Sequence, residues 1–365
     1  MARTGAERTD VAVAWPSRLL RPQHTRLVYL DLNQWIGLAK AAVGHRDGKR
    51  FSTALEAVLA HRDGWTYVIG GPLMMELTGI LRRQQRQDLG EIIEELTGYS
   101  CVMPLTTIAT LELETALCRA TGTAERFEAV PLLGRGVLQA LGLRGGMRVR
   151  DRDGNDVTDQ ARREAPGGAA YFDQRIEEAE RDLDRSVIRG PADDEVETEL
   201  RREGWDPSGA RRGAERRAQQ EQDFALQLAE DPRWRRGRLR DVIAARYLAL
   251  EIESIREDAL RAHGVRLSEV FTSVEAAREF TDAMPAADTW ITLRTAKHRN
   301  PDSAWKPNDI FDIDALSVVA PYCDVVVTER HSAHVLRQAD APSRYGMTLL
   351  TSLDELADYL STTTG

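Results

Sequence analysis

Cysteine, lysine and long apolar runs are scarce in this chain of 365 residues, and each scarcity excludes something. Three cysteines, Cys101, Cys118 and Cys323, are too few and too widely spaced for a disulfide framework or a CxxC zinc site. They lie in or beside apolar runs, where a thiol packs as a small hydrophobe. No run of about 18 apolar residues occurs, so no membrane span is expected. The arginines of residues 1–26 precede no apolar stretch of the signal-peptide kind, and the expected compartment is the cytoplasm. Only Lys40, Lys49, Lys297 and Lys306 are lysines among 49 basic residues, a bias that fits GC-rich coding better than function. GxGxxG, Walker A, GxSxG and HExxH patterns are also missing. Their absence disfavours nucleotide-binding, hydrolase-elbow and zinc-protease chemistry.

What is present supports a large folded chain. The length fits one domain carrying an insertion, or two domains. Acids outnumber bases, 58 to 49, for a formal charge of −9. That excludes a protein that coats nucleic acid through bulk charge, which needs a basic excess to release counterions. It leaves open an enzyme that grips nucleic acid locally and works with carboxylates.

Residues 1–25 read as a lead-in. Arg26–Asp31 is a short apolar run ending in an acid, the pattern of a buried strand, and a helix follows from Asn33. A second helix spans 51–61. Trp65–Gly70 is the next strand, and Pro72 suits the first turn of the helix after it. Helix 88–97, strand 100–105 and helix 108–118 complete an alternation that predicts a parallel α/β sheet. From 119 to 299 the alternation stops. Charged helical stretches at 171–188, 214–229 and 238–262, separated by Gly-rich or polar segments, read as a helical insertion. The α/β pattern resumes at Asn308, with helix 310–320, strand 324–328, helix 331–338, strand 347–350 and helix 352–360. Ser352 and Glu355 are spaced as a capping box.

The positions of the acids carry the functional signal. Ligands of open parallel sheets bind outside the carboxyl ends of the strands. Asp31 closes the first strand, and Glu76 lies early in the helix after the second. Asp309 and Asp312 open the helix feeding the fourth strand, which Thr328-Glu329 closes. Asp324 begins that strand and belongs at the opposite edge. Asp309 and Asp312 share a helix face, whereas Asp314 points roughly 200° away from Asp312. Asp312 is therefore a candidate ligand, with Asp309 beside it or acting as the helix cap. Converging carboxylates repel unless a cation neutralises them, and oxygen ligands suit Mg²⁺ or Mn²⁺. Each acid has a plainer reading, Asp31 as an N-cap and the others as acids favoured by a helix dipole. Their joint position at one edge favours a metal site.

These residues resemble the PIN-like nuclease family. Leu27-Val-Tyr-Leu-Asp31-Leu-Asn33 is similar to its opening strand with an acid-x-Asn/Ser/Thr signature. Glu76 in Pro72-Leu-Met-Met-Glu-Leu is similar to the acid on the helix after its second strand. Asp312, sixteen residues before the Thr328 of Val-Val-Val-Thr-Glu, is similar to its third acid and closing strand. The likeness covers about 26–118 and 305–360. It implies a PIN-like parallel sheet flanked by helices, with core segments 26–118 and 300–365 around the 119–299 insertion. It further implies a metal-dependent endoribonuclease acting on RNA with Mg²⁺ or Mn²⁺, in a family that often forms homodimers. Asp31, Glu76 and Asp312 would be the catalytic, metal-binding acids, with Asn33 orienting Asp31 and Thr328 in support. Glu329 stands where the family often has a fourth acid, usually Asp and two residues past the Thr. It joins Asp309 as an additional or supporting ligand.

Beside this site, Lys297, His298, Arg299 and Lys306 are candidates to hold a phosphate backbone, and Trp305 to stack a base. A solvated loop is the plainer reading of that stretch. Arg211-Arg212, Arg216-Arg217 and Arg233–Arg238 form a second basic region, though interleaved acids fit an ordinary solvated face better. His331 reads as a surface histidine, and Met74-Met75 as core. A haloacid-dehalogenase-like phosphatase also ends its first strand in Asp, but it needs a second Asp where Asn33 stands. A catalytically silent PIN-like module, binding RNA or a partner, would usually have lost one of the three acids. The residues do not select among toxin, phage-defence and RNA-processing roles.

Overall fold

Val, Ile and Tyr concentrate in short uninterrupted runs, and those runs become the central strands. The computed structural model describes residues 11–14, 19–143, 145–235, 237–300 and 302–363; most of the 1–18 segment, and Arg236 of the second basic region, lie outside them. In chain order the strands are β1 (Val11–Ala14), β2 (Leu19–Pro22), β3 (Arg26–Leu30), β4 (Trp65–Val68) and β5 (Ser100–Val102), followed by β6 (Val130–Pro131), β7 (Leu133–Arg135), β8 (Val325–Val327) and β9 (Thr348–Leu350). A parallel sheet has the order β4-β3-β8-β9. A parallel bridge between Ile69 and Cys101 adds β5 beyond β4, and β7 closes that edge antiparallel. The chain thus works outward from β3 on one side, then returns to lay β8 and β9 on the other. Such a reversal opens a crevice at the carboxyl ends of the two central strands, here β3 and β8.

Both faces of this sheet are covered, which is why its strands read as continuous apolar runs rather than alternating ones. Val28, Leu30, Tyr67 and Val325 pack toward α1 (Leu32–Ala42), α2 (Ser52–Ala60), α3 (Gly71–Thr78), α4 (Arg83–Thr97) and the Leu353–Thr363 helix. The alternate residues Leu27, Tyr29, Val68 and Val326 face α5 (Leu105–Thr121), the Pro285–Arg299 and Pro307–Tyr322 helices, and the insertion. Ile243, Tyr247 and Leu260 of the insertion belong to the same buried cluster as Ile310 and Val319. β7 belongs to the sheet edge, and Pro285–Arg299 packs along Pro307–Tyr322.

Two other expectations are corrected. β1 pairs with β2, and β6 joins β2, so part of the lead-in is a small sheet. The helix expected over 238–262 breaks into Leu239–Arg246, a π-helical turn at Tyr247–Glu251 and Glu253–His263. A π turn holds an extra residue, so Leu248 enters the buried stripe and Leu250 turns out, 64% exposed.

Charge pairing fixes the insertion against the core. Glu221, on the Gly209–Glu230 helix, accepts from Arg246 at 2.6 Å and His298 at 2.9 Å, and pairs with Arg294. Burial pushes its carboxyl up, but His298, Arg294 and Arg246 outweigh that and hold it at about 2. Arg217 of the same helix pairs with Asp314 of Pro307–Tyr322, one bond measuring 3.1 Å. Asp314 therefore turns toward the insertion, away from the crevice.

Candidate metal centre at the sheet edge

The carboxyl edge of β3 and β8 brings acids from four segments into electrostatic reach of one another, without three of their ligand atoms lying within 4.8 Å of each other. β3 and β8 run in parallel register through Leu30 and Val327, so Asp31 and Thr328 are the next pair along. The Asp31 amide donates to Val327 at 3.1 Å, and the Thr328 amide to Leu350 at 3.0 Å. Asp31 also N-caps α1, one carboxylate oxygen accepting from the Gln34 amide at 3.2 Å. Capping and metal-site readings thus coexist in one carboxylate, the cap alone contributing about 1 kcal/mol. Thr328 and the Asn33 backbone favour the charged form of Asp31, while the Asn33 side chain is exposed.

Glu76 enters from α3, where Pro72 occupies the first turn as expected and Leu73, Met74 and Leu77 anchor the inner face. Asp312 enters from the Pro307–Tyr322 helix between buried Phe311 and Ile313. Glu329 begins the Arg330–Gln338 helix directly after Thr328 and is exposed. Among the described residues, none of these four acids forms an ion pair.

Their mutual influence is visible in their proton affinities. Burial, then the charge of Glu329, raises Asp31 to about 6 against the pull of the α1 amides and Thr328. Burial, then Asp31, raises Glu76 to about 7. Burial, then Glu76, Glu329, Asp31 and Asp309, raises Asp312 to about 8. Tyr29, buried on β3, is raised well above its ordinary value by burial and then by Asp31, Asp312 and Glu76. The acids thus raise one another's proton affinity, and near neutral pH Glu76 and Asp312 keep much of their protonated form. Such clusters of shifted acids in a crevice mark functional sites.

The remaining expected residues separate by side-chain geometry. Asp309 meets Lys297 at 3.0 Å and accepts from the Lys306 amide at 2.7 Å, so it serves chiefly to start its helix. Lys297 is committed to that pair, and Arg299 lines a separate pocket with Arg240 and Arg344. Lys306 is exposed. His298, expected at a phosphate, is instead 1% exposed and bonded to Glu221. Trp305, expected to stack a base, is buried against His298. Both lie on the inner side of a stretch that the sequence presents as a loop. Met75 is the opposite correction, 46% exposed rather than core.

Sequence reading missed a cleft of about 680 Å³ between the core and the insertion, lined by Met75 beside Glu76 and by Phe311 and Asp314 on either side of Asp312. It also missed Glu114, Cys118 and His263, whose candidate ligand atoms lie within 4.8 Å of one another. Arg126 occupies both Glu114 oxygens at 2.9–3.1 Å, and His263 donates or accepts at both ring nitrogens, toward Glu114 and Thr123. That group is satisfied as an ion-pair cluster. No family model, curated protein or solved structure matches this chain.

Proposed function

We propose that this chain is a metal-dependent endoribonuclease with a PIN-like core, hydrolysing RNA phosphodiester bonds. The observation that carries the reading is four carboxylates, from four separated segments and without an ion pair among the described residues, in electrostatic reach of one another at the reversal point of a parallel sheet. The donor set fits a hard divalent cation because it offers only oxygens and an excess of negative charge. Asp31, Glu76 and Asp312 would hold Mg²⁺ or Mn²⁺, with Glu329 completing the set and Asp309 behind Asp312. The cation supplies activation of water and neutralisation of charge on the phosphodiester in flight. Thr328 and the first amides of α1 fix one side of Asp31, which leaves its remaining lone pairs for the ligand. Glu76 and Asp312 accept no hydrogen bond from a described residue, so their oxygens are likewise unspent. Protons held at about 7 and 8 must leave these two acids before a cation binds, so binding strengthens as pH rises toward 8.

Incubation of single-stranded RNA with the protein and Mn²⁺, with EDTA, and with Asp31→Asn tests the reading. Cleavage is expected only for the unmodified chain with the cation. Cleavage that survives both EDTA and the substitution overturns it. Phosphate release from small phosphomonoesters, with RNA left intact, would indicate the phosphatase. RNA binding without a cut under any divalent cation would indicate the silent module.

A further inference from the structure

We infer that the cleft between the insertion and the core seats a nucleotide flanking the cleaved bond, with Arg216 on its phosphate and the apolar wall against its base. The substrate class rests on the ribonuclease reading; the location rests on the cleft alone.

The cleft lies on the two helices that carry Glu76 and Asp312: Met75, Phe311 and Asp314 are on its wall, while the acids themselves project from other faces of the same helices. Its volume of about 680 Å³ lies in the range of built ligand sites. Trp290 and Phe311 line its interior, while Met75 and Leu141 are 46% and 60% exposed. Large apolar side chains left in water at a concave surface are stabilised when a flat apolar group covers them. A base offers such a face whatever its identity.

The second observation is charge. Arg211, Arg212 and Arg217 on the same helix are each paired, with Glu215, Asp206 and Asp314 respectively. Arg216 is exposed, lines the cleft and has no partner among the described residues. Gln220, one turn along the same helix face, lines the cleft and is equally unpartnered. A free guanidinium and a free amide above an apolar wall match the anionic and flat halves of a nucleotide. A purely apolar ligand would leave both polar groups unused.

The cleft is also held open in advance. The Arg217–Asp314 pair ties its two sides together, and the π turn sets Tyr247 and Glu251 into its lining. π turns recur at functional sites because they re-aim side chains without ending a helix.

Arg216→Glu and Leu141→Asp change exposed positions outside the acid cluster, and circular dichroism checks that both variants fold. Binding of a short single-stranded RNA, measured by fluorescence anisotropy with Ca²⁺ in place of Mn²⁺, is expected to weaken about tenfold or more in each. The salt slope of Arg216→Glu should fall by about one counterion. In Mn²⁺ kinetics both variants should raise KM with little change in kcat, whereas Asp31→Asn lowers kcat. Thiouridine-containing RNA should crosslink to Met75, Leu141 or the Arg216–Gln220 turn. Unchanged binding by both variants, or crosslinks confined elsewhere, overturns the assignment. If RNA crosslinks in the cleft and Arg216→Glu weakens it, but the unmodified chain never cuts RNA, the cleft stands and the nuclease reading falls. Cleavage that is indifferent to both variants has the opposite meaning.

Discussion

Asp31, Glu76 and Asp312 hold their protons up to about 6, 7 and 8 because neighbouring carboxylates and burial disfavour their charge. A fold tolerates such repulsion where the charges have a use, and removing one relieves it. Asp312→Asn is therefore expected to raise metal-free stability at pH 8 by on the order of 1 kcal/mol. The same change should cut RNA cleavage by about 10²-fold or more, since a ligand to the proposed cation is lost. Paired thermal melts and cleavage assays check this; a variant that is both less stable and fully active contradicts it. At this scale the sequence is a better guide to residues beside strand ends than to the side chains that pack around them. Asp31 and Glu329 closely follow strand ends, where a local apolar run announces them, whereas Glu76 and Asp312 lie inside helices and their place at the edge depends on the topology. Met74 and Met75 differ by one helix step of about 100°, which separates core from cleft. Likewise nothing local distinguishes Arg216 from Arg217, because the partner that claims Arg217 is Asp314, far away in sequence.

Among the elements, the Gly209–Glu230 helix does the joining. Its Glu221 is 2% exposed and answers Arg246, Arg294 and His298 together. Glu221→Gln would leave Arg294, itself 1% exposed, without its countercharge. Stranding a buried ion in this way costs about 3–5 kcal/mol. Urea denaturation should show a loss of that order, larger than for Arg211→Ala on the exposed face of the same helix; equal losses would deny Glu221 its organising role. Strands and most helices were legible because uninterrupted apolar runs and 3.6-residue stripes are local signals. The π turn was not, since its extra residue is imposed by packing around Tyr247 rather than by a residue type. The two-residue β6 and three-residue β7 were too short to show a period, and they exist through their pairing with β2 and β5.

For the whole molecule, the shifted acids set a pH dependence. Unfolded, these carboxyls titrate near 4; folded, they do so at about 6, 7 and 8. Across roughly pH 5–8 the folded chain thus binds more protons than the unfolded one. Metal-free stability is accordingly greatest at the acidic end of that window and declines as pH rises through the folded values. Buried Glu112, raised to about 7 by burial against the pull of Tyr322 and the Ala286 and Ala287 amides, adds to the slope but stands outside the acid cluster. In EDTA the Tm should fall between pH 6 and 8. Mn²⁺ should remove most of that fall and leave the part due to Glu112. A metal-free Tm that rises over the same interval contradicts the shifts. Fold class and strand sequence were readable at this scale, while the joining of insertion and core was not. Ile243 and Ile310 share a cluster through packing that no window along the chain contains.

The insertion separates Asp31 and Glu76 from Asp312 and Glu329, which has a consequence for biosynthesis. A ribosome must make the whole insertion, and then β8, before the last two carboxylates exist. A nascent chain halted earlier carries half a cluster and lacks the strand that β3 needs beside it. Completion of the cluster therefore waits until the insertion, β8 and Glu329 have been made.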